Sequence, residues 1–390
     1  MQMDIERLKD KFRELYGNDD MYVFFSPSRV NLIGEHVDYN GGHVMPATIK
    51  MGTYGVVSMR KDNIVRMASE NFDLRVQAEL GDIVYREEDD WGNYVKGVLK
   101  TFMDAGYKAG GMDIYVSGDI PNGAGLSSSA SLELLIAEMI NHLFNDNSID
   151  NVEMAKLCQR AENEFVGVMC GIMDQFIISV GKEKNCIVLD CDTLKYEYIE
   201  YDLEGYSLVI MNTNKRRELN ESKYNERRSE CQIALDSINR HVKIKNLCQL
   251  SIPEFRMYEN FIEDPVVRKR AEHVVFENRR VLLARDALKA KSSIALGNLL
   301  KESHDSLRDL YEVTGVELDT IVQAANQFDG CIGSRMTGAG FGGCAIALVR
   351  KTEVDKFMEE VSEIYKEKIG YYPDFYITDV GDGSMKLIEQ

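Results

Sequence analysis

The chain reads as an α+β protein of two domains, on three observations. Its 390 residues exceed what one hydrophobic core usually serves. Segments with strand-like and helix-like spacing occur in both halves. The strands do not alternate regularly with helices, so parallel βαβ units are not expected.

The elements follow in order. Residues 1–17 set Ile5, Leu8, Phe12 and Leu15 among charged neighbours, which predicts an amphipathic helix rather than a signal peptide. Residues 22–25 form a short apolar run closed by Pro27, read as a strand, and 30–40 are polar and in part loop-like. Strands are predicted at 52–59 and 64–68, a helix at 91–105 and a strand at 112–116. A Gly- and Ser-rich loop at 121–130 precedes helices at 132–144 and 152–168. The second half opens near Cys186, with strands at 186–190, 196–201 and 207–211. Charged helices are predicted at 215–238, 266–291 and 296–310, then a buried strand at 344–349, a helix at 354–365 and a closing strand at 375–380. There is no internal repeat or long linker.

The formal net charge of −18 argues against nucleic acid or an anionic membrane as a partner. No run has the length of a membrane span, so a cytoplasmic protein is expected. The eight cysteines form no Cys-x-x-Cys pair and are expected as buried, reduced thiols.

Three segments carry chemistry. In Pro121-Asn122-Gly123-Ala124-Gly125-Leu126-Ser127-Ser128-Ser129-Ala130, glycines free the backbone to curl just before a helix start. Free N–H groups, the positive end of the helix dipole and three hydroxyls then converge, which suits a phosphate. A plain turn before a buried helix is the alternative. The loop lacks the Gly-Lys-Ser/Thr of a Walker A motif and the third glycine of the dinucleotide fingerprint. The His-Arg-Asp and Asp-Phe-Gly motifs of protein kinases are missing as well. Residues 333–344 hold a second glycine cluster before an apolar strand, read as a loop beside phosphates or substrate, or else as a bulged strand entry. Residues 29–40 place Arg29, Glu35, His36 and Asp38 around Gly34. They offer the ionised acceptors and planar donors that sugar hydroxyls require, or form a solvated polar loop.

Together these segments resemble the signature motifs of the GHMP small-molecule kinases, and 28–40 (Ser28-Arg29-Val30-Asn31-Leu32-Ile33-Gly34-Glu35-His36-Val37-Asp38-Tyr39-Asn40) is similar to the galactokinase branch, with Ser28 and Val37 replacing a usual Gly and Thr. The likeness covers nearly the whole chain. It implies a two-domain GHMP fold with the active site in the cleft. The domains would be 1–180 and 181–374, with 375–390 a candidate to complete the first. It implies transfer of the ATP γ-phosphate to the C1 hydroxyl of α-D-galactose, with Mg²⁺ as cofactor. The alternatives in kind are a kinase for N-acetylgalactosamine or arabinose, and a sugar and ATP sensor without turnover. By resemblance, Asp174 is the catalytic base, and Arg29 holds it ionised and offsets phosphoryl charge. Glu35, His36, Val37, Asp38 and Tyr224 meet the sugar. Ser69, Gly123, Ala124, Gly125, Leu126, Ser127, Ser128 and Ser129 meet ATP, and Ser129 and Glu162 bind the metal. Lys215, Arg216 and Arg217 are read as aiding an anionic ligand or as a solvated helix start. The partners expected are a sugar and ATP, for a monomer.

Overall fold

The computed structural model describes residues 4–121, 125–215 and 220–387. The first half runs α1 (Ile5–Tyr16), β1 (Tyr22–Asn31), β2 (His43–Val44), β3 (Pro46–Met59), β4 (Ile64–Ser69), β5 (Val76–Glu79), α2 (Gly92–Asp104), β6 (Met112–Gly118), α3 (Ser128–Phe144), α4 (Asn151–Arg160) and α5 (Met173–Val180). The second half runs β7 (Asn185–Asp190), β8 (Tyr196–Glu200), β9 (Tyr206–Asn212), α6 (Asn220–Asn239), α7 (Ile252–Tyr258), α8 (Pro265–Lys289), α9 (Ser293–Ser306), α10 (Gly315–Gln327), β10 (Cys331–Thr337), β11 (Cys344–Arg350), α11 (Val354–Ile369), β12 (Asp374–Thr378) and β13 (Met385–Lys386).

A six-stranded sheet has the order β13-β1-β3-β6-β4-β5. Alternation along its strands gives it two apolar faces. Val23 and Val56 point to Leu8 and Phe12 of α1, while Phe24 and Val57 point to the layer of α2, α3, α4 and α5. Helix α1 starts at Asp4, whose carboxylate caps the Arg7 N–H, and stops at Gly17 in the left-handed region. A four-stranded antiparallel sheet, β10-β11-β9-β12, carries the second half. Val209, Ala345 and Ala347 face Leu318, Ile321 and Phe357 of α10 and α11. Leu208, Ile210, Ile346 and Leu348 face Leu288, Leu296 and Leu300 of α8 and α9. A third sheet, β2-β7-β8, ties residues 43–44 of the first half to the second.

The α+β class holds, with corrections in detail. Pro27 does not end β1. The register with β3 shifts between Pro27 and Ser28, and the strand continues to Asn31. A proline is tolerated at such a bulge because it has no N–H to donate. Strands β4 and β6 pair in parallel. That crossover was hidden because β5 intervenes before α2. The helix expected at 152–168 becomes a π-helical turn at Ala161–Val166, and the one at 296–310 becomes another at Leu307–Tyr311. Helices α5, α7 and α10 and strands β2, β5, β10 and β13 were not expected. Of the eight cysteines, Cys170, Cys191 and Cys248 are half-buried rather than buried. No helix among the described residues is long and apolar enough to cross a membrane.

Candidate active site

Strand β1 delivers Arg29 to the floor of a cleft between the halves. Its side chain is buried, and it meets Asp174, in the first turn of α5, by two parallel bonds. Nε donates to Oδ1 and Nη2 to Oδ2, each at 2.7 Å. This fork-to-carboxylate geometry is the strong form of an ion pair. Burial opposes the charge on Arg29, but Asp174, and then Glu35 and Asp38, keep it protonated. The Ser127 hydroxyl donates to Asp174 Oδ2. Arg29 Nη1 donates to the Gly125 carbonyl at 3.1 Å, tying the Gly-rich loop to the same carboxylate.

After β1 the chain turns sharply, and the second half grips the turn. Arg335 donates to the carbonyls of Asn31 (3.1 Å) and Leu32 (2.9 Å). Glu277 accepts from Gly34 N at 3.0 Å, and His273 Nε2 lies 3.1 Å from the Glu35 carbonyl. Gly34 has φ +103 and is crowded by the His43 carbonyl, so a side chain is not accommodated there. Glu35 accepts from Asn31 Nδ2 and from Gly338 N, both at 2.7 Å. Burial raises its pKa even beside Arg335. Asp38 is pushed up to about 7, by burial first and then by the charge of Asp174. A Cβ on Gly171 would lie 1.7 Å from the Asp38 carboxylate, so glycine is what allows that close approach.

These groups line a cavity of ≈ 260 Å³. Arg29, Asp174, Glu35, His36, Asp38 and Tyr224 all face it, and Tyr39, Met169, Cys170, Gly171, Gly338 and Ala339 are among the other residues of its wall. The two Gly-rich segments meet at its edge, where a Cβ on Gly338 would be 3.0 Å from the Gly125 carbonyl. Val37 does not line the cavity. Its side chain is fully buried in the core, against Gly42. Leu126 is likewise a core side chain and offers only its backbone to a ligand. Ser69 ends β4 beside the end of β6, and its hydroxyl accepts from Asn71 N at 3.0 Å. Gly123 and Ala124 lie outside the described residues, as do Arg216 and Arg217. Lys215 is paired with Glu317 at 2.9 Å rather than free for an anion.

Behind Asp174, Ser129 at the start of α3 stands beside Glu162 in the π-helical turn, near enough to ease the burial of its carboxylate. Glu162 also accepts from Gln175 Nε2 at 2.7 Å. Burial pushes its carboxyl up to about 7. The same Gln175 amide donates to Glu133 at 3.0 Å, and the other oxygen of Glu133 is buried without a partner. A hydroxyl and a buried carboxylate are hard oxygen donors, and a cation beside them would offset the cost of burying charge. The pair therefore fits a small divalent ion. Among the described residues no group of three or more His, Cys, Asp or Glu is placed to hold a metal, so such an ion would take its other oxygens from phosphates and water.

Residues 93–182 match the GHMP kinases N terminal domain and residues 284–367 the GHMP kinases C terminal domain. Residues 10–59 match the galactokinase galactose-binding signature. Galactokinase of Clostridium tetani is 57% identical, over 99% of this chain and 98% of its own length. Galactokinase of Clostridium beijerinckii is 50% identical, over 98% and 99%. This chain belongs to the galactokinase family of GHMP kinases. Among solved structures, Lactococcus lactis galactokinase complexed with galactose superposes with a TM-score of 0.96 at 45% identity, covering 98% of this chain and all of that one. A mevalonate kinase at 20% identity and TM-score 0.67 shares the fold.

Sequence reasoning about this galactokinase-family chain missed Gln175, Glu133, Tyr39 and Tyr311 as parts of the site and its supports. Glu133 had a signal, since it is a carboxylate on the apolar helix one turn beyond Ser129. Tyr311 had none, because the helical period runs on through the π-helical turn that aims it.

Proposed function

We propose that this chain is an ATP-dependent sugar 1-kinase that converts α-D-galactose to galactose 1-phosphate and ADP. The observation that carries the reading is the Arg29–Asp174 pair at the floor of a polar cavity, in a chain so similar to galactokinases. At ≈ 260 Å³ the cavity lies below the roughly 300 Å³ at which drug-sized pockets begin, which suits a monosaccharide. The relative from Lactococcus lactis was solved with galactose.

In the mechanism Asp174 accepts the C1 hydroxyl proton as the O1–Pγ bond forms and the bond from Pγ to the β,γ-bridging oxygen breaks. ADP leaves with that electron pair. Arg29 keeps Asp174 ionised beforehand and offsets charge on the transferred group. Glu35, His36, Asp38 and Tyr224 orient the sugar. The Gly125–Ser129 backbone, with Gly123 and Ala124, cradles the phosphates, and Ser69 contributes to the nucleotide site. Ser129 and Glu162 would hold Mg²⁺, which would supply positive charge to offset that of the phosphates. The domain division is 1–180 and 181–374 with the C-terminal segment split between them: the pairing of β13 with β1 supports its return to the first domain, while residues 374–378 in β12 pair with β9 and extend the second. The protein acts as a cytosolic monomer, a reading supported by the acidic surface charge and the free cysteines.

The test is ADP release with ATP, Mg²⁺ and each of galactose, N-acetylgalactosamine, arabinose and glucose. Strong turnover is expected with galactose. Turnover on another sugar alone would move the substrate, and none on any sugar would sink the kinase reading. Glu162→Gln is expected to raise the Mg²⁺ concentration for half-maximal rate by at least about tenfold. An unchanged Mg²⁺ titration would remove Glu162 from the metal site.

A further inference from the structure

This inference rests on the reading of the cavity as the sugar site, and it concerns a residue that does not line it. Tyr311 closes the π-helical turn Leu307–Tyr311, a rare form often found at functional sites. Two buried arginines hold that turn. Arg270 Nη1 donates to the Leu310 carbonyl at 2.6 Å, and Arg227 Nε to the Tyr311 carbonyl at 2.7 Å. The Tyr311 ring is fully buried between His36 and His273, with centroids 4.9 and 4.5 Å away.

The hydroxyl of Tyr311 lies 2.9 Å from that of Tyr39 and 3.1 Å from Cys231 Sγ. The Tyr39 hydroxyl lies 2.8 Å from His36 Nδ1, and His36 Nε2 lies 3.1 Å from the Ala339 carbonyl. A carbonyl only accepts, so Nε2 carries the proton. In a neutral ring Nδ1 then only accepts. Burial keeps the ring neutral, lowering its pKa to about 3. The direction of every bond in the chain follows. Tyr39 donates to His36, Tyr311 donates to Tyr39, and the Cys231 thiol donates to Tyr311. The second nitrogen is governed from the same segment. Phe341 N donates to the Val313 carbonyl at 2.6 Å, which anchors the turn that carries Ala339. Residues 307–313 therefore hold both sides of the imidazole. They do so at a residue whose backbone, with φ +63, is in a region that non-glycine residues enter only when surroundings impose it.

We propose that Tyr311 is a positioning residue for the sugar: acting through Tyr39, it fixes the tautomer and ring orientation of His36 at the cavity wall. A double-mutant cycle tests this. Tyr311→Phe keeps the ring and removes one hydroxyl. The galactose KM is expected to rise about five- to tenfold, the effect of one neutral hydrogen bond. The ATP KM and kcat should stay within about twofold. In a Tyr39→Phe background the same change should have no further effect on the sugar KM, because its route is already cut. Multiplying effects, or an unchanged sugar KM in Tyr311→Phe, overturn the proposal. The ¹⁵N spectrum of His36 gives an answer independent of turnover. The Nε2–H tautomer is expected in the parent, and a proton on Nδ1 overturns the assigned chain. If the parent phosphorylates none of the sugars, the reading of the cavity fails, and this spectrum still decides the chain.

Discussion

Asp174→Asn is expected to lower the rate of phosphoryl transfer by roughly 10³- to 10⁴-fold, the usual worth of a positioned proton acceptor or more, while galactose binds within about threefold of the parent. The substitution keeps the shape and removes the charge. Arg29 then loses its fork partner. An amide can still accept one of its two bonds, so the guanidinium stays near its place and the cavity keeps its walls. What disappears is the group able to take the C1 hydroxyl proton. Ser127, whose hydroxyl points at the same carboxylate, does not replace it, because a hydroxyl is too weak a base at neutral pH. Single-turnover kinetics with saturating ATP measure the loss, and calorimetric titration with galactose measures the binding. Turnover within tenfold of the parent would take Asp174 out of the proton transfer. A matching loss of binding would make it a residue of the sugar site instead.

The three motif segments were legible in the sequence because each does its work within a dozen residues. The turn at Gly34, the helix start after Gly125 and the glycine turn at 338–343 follow from local composition. Folding brings them together, with Arg29 on the Gly125 carbonyl and Gly338 on Glu35. What was not legible depends on direction and register. Val37 sits between two cavity residues, yet its side chain points into the core, and nothing in Glu35-His36-Val37-Asp38 says which way each points. Pro27 looked like the end of a strand because a bulge is a two-strand property that one strand's sequence does not declare. The π-helical turns at Glu162 and Tyr311 each insert one residue into a helix. The apolar period that predicts a helix continues past them, so their aim is set by tertiary partners such as Arg227 and Arg270.

Arg335→Met is expected to destabilise the protein by about 3–5 kcal/mol, the cost of breaking a fully buried charged cluster. Arg335 has no exposed surface. Its Nη1 satisfies two consecutive carbonyls, those of Asn31 and Leu32, and its Nη2 lies 3.3 Å from Glu35. Methionine fills most of the volume, so the loss is one of polar partners rather than packing. In a site that water does not reach, the Leu32 carbonyl loses its side-chain donor, the Asn31 carbonyl keeps only the Thr337 hydroxyl, and Glu35 keeps Asn31 and Gly338 but loses its counter-charge; an unsatisfied buried group costs about 1–3 kcal/mol. With an unfolding entropy of about 2.1 cal/mol/K per residue over the whole chain, the melting midpoint should fall by about 4–6 °C. Lysine would restore the charge but not the planar fork that serves both the backbone and Glu35, so Arg335→Lys should recover less than half of the loss. Because the residues released are those that hold Glu35 and His36 at the cavity, the galactose KM should rise in the folded variant while the ATP KM does not. A melting midpoint within about 1 °C of the parent, with both KM values intact, would show that the turn after β1 holds its shape without Arg335.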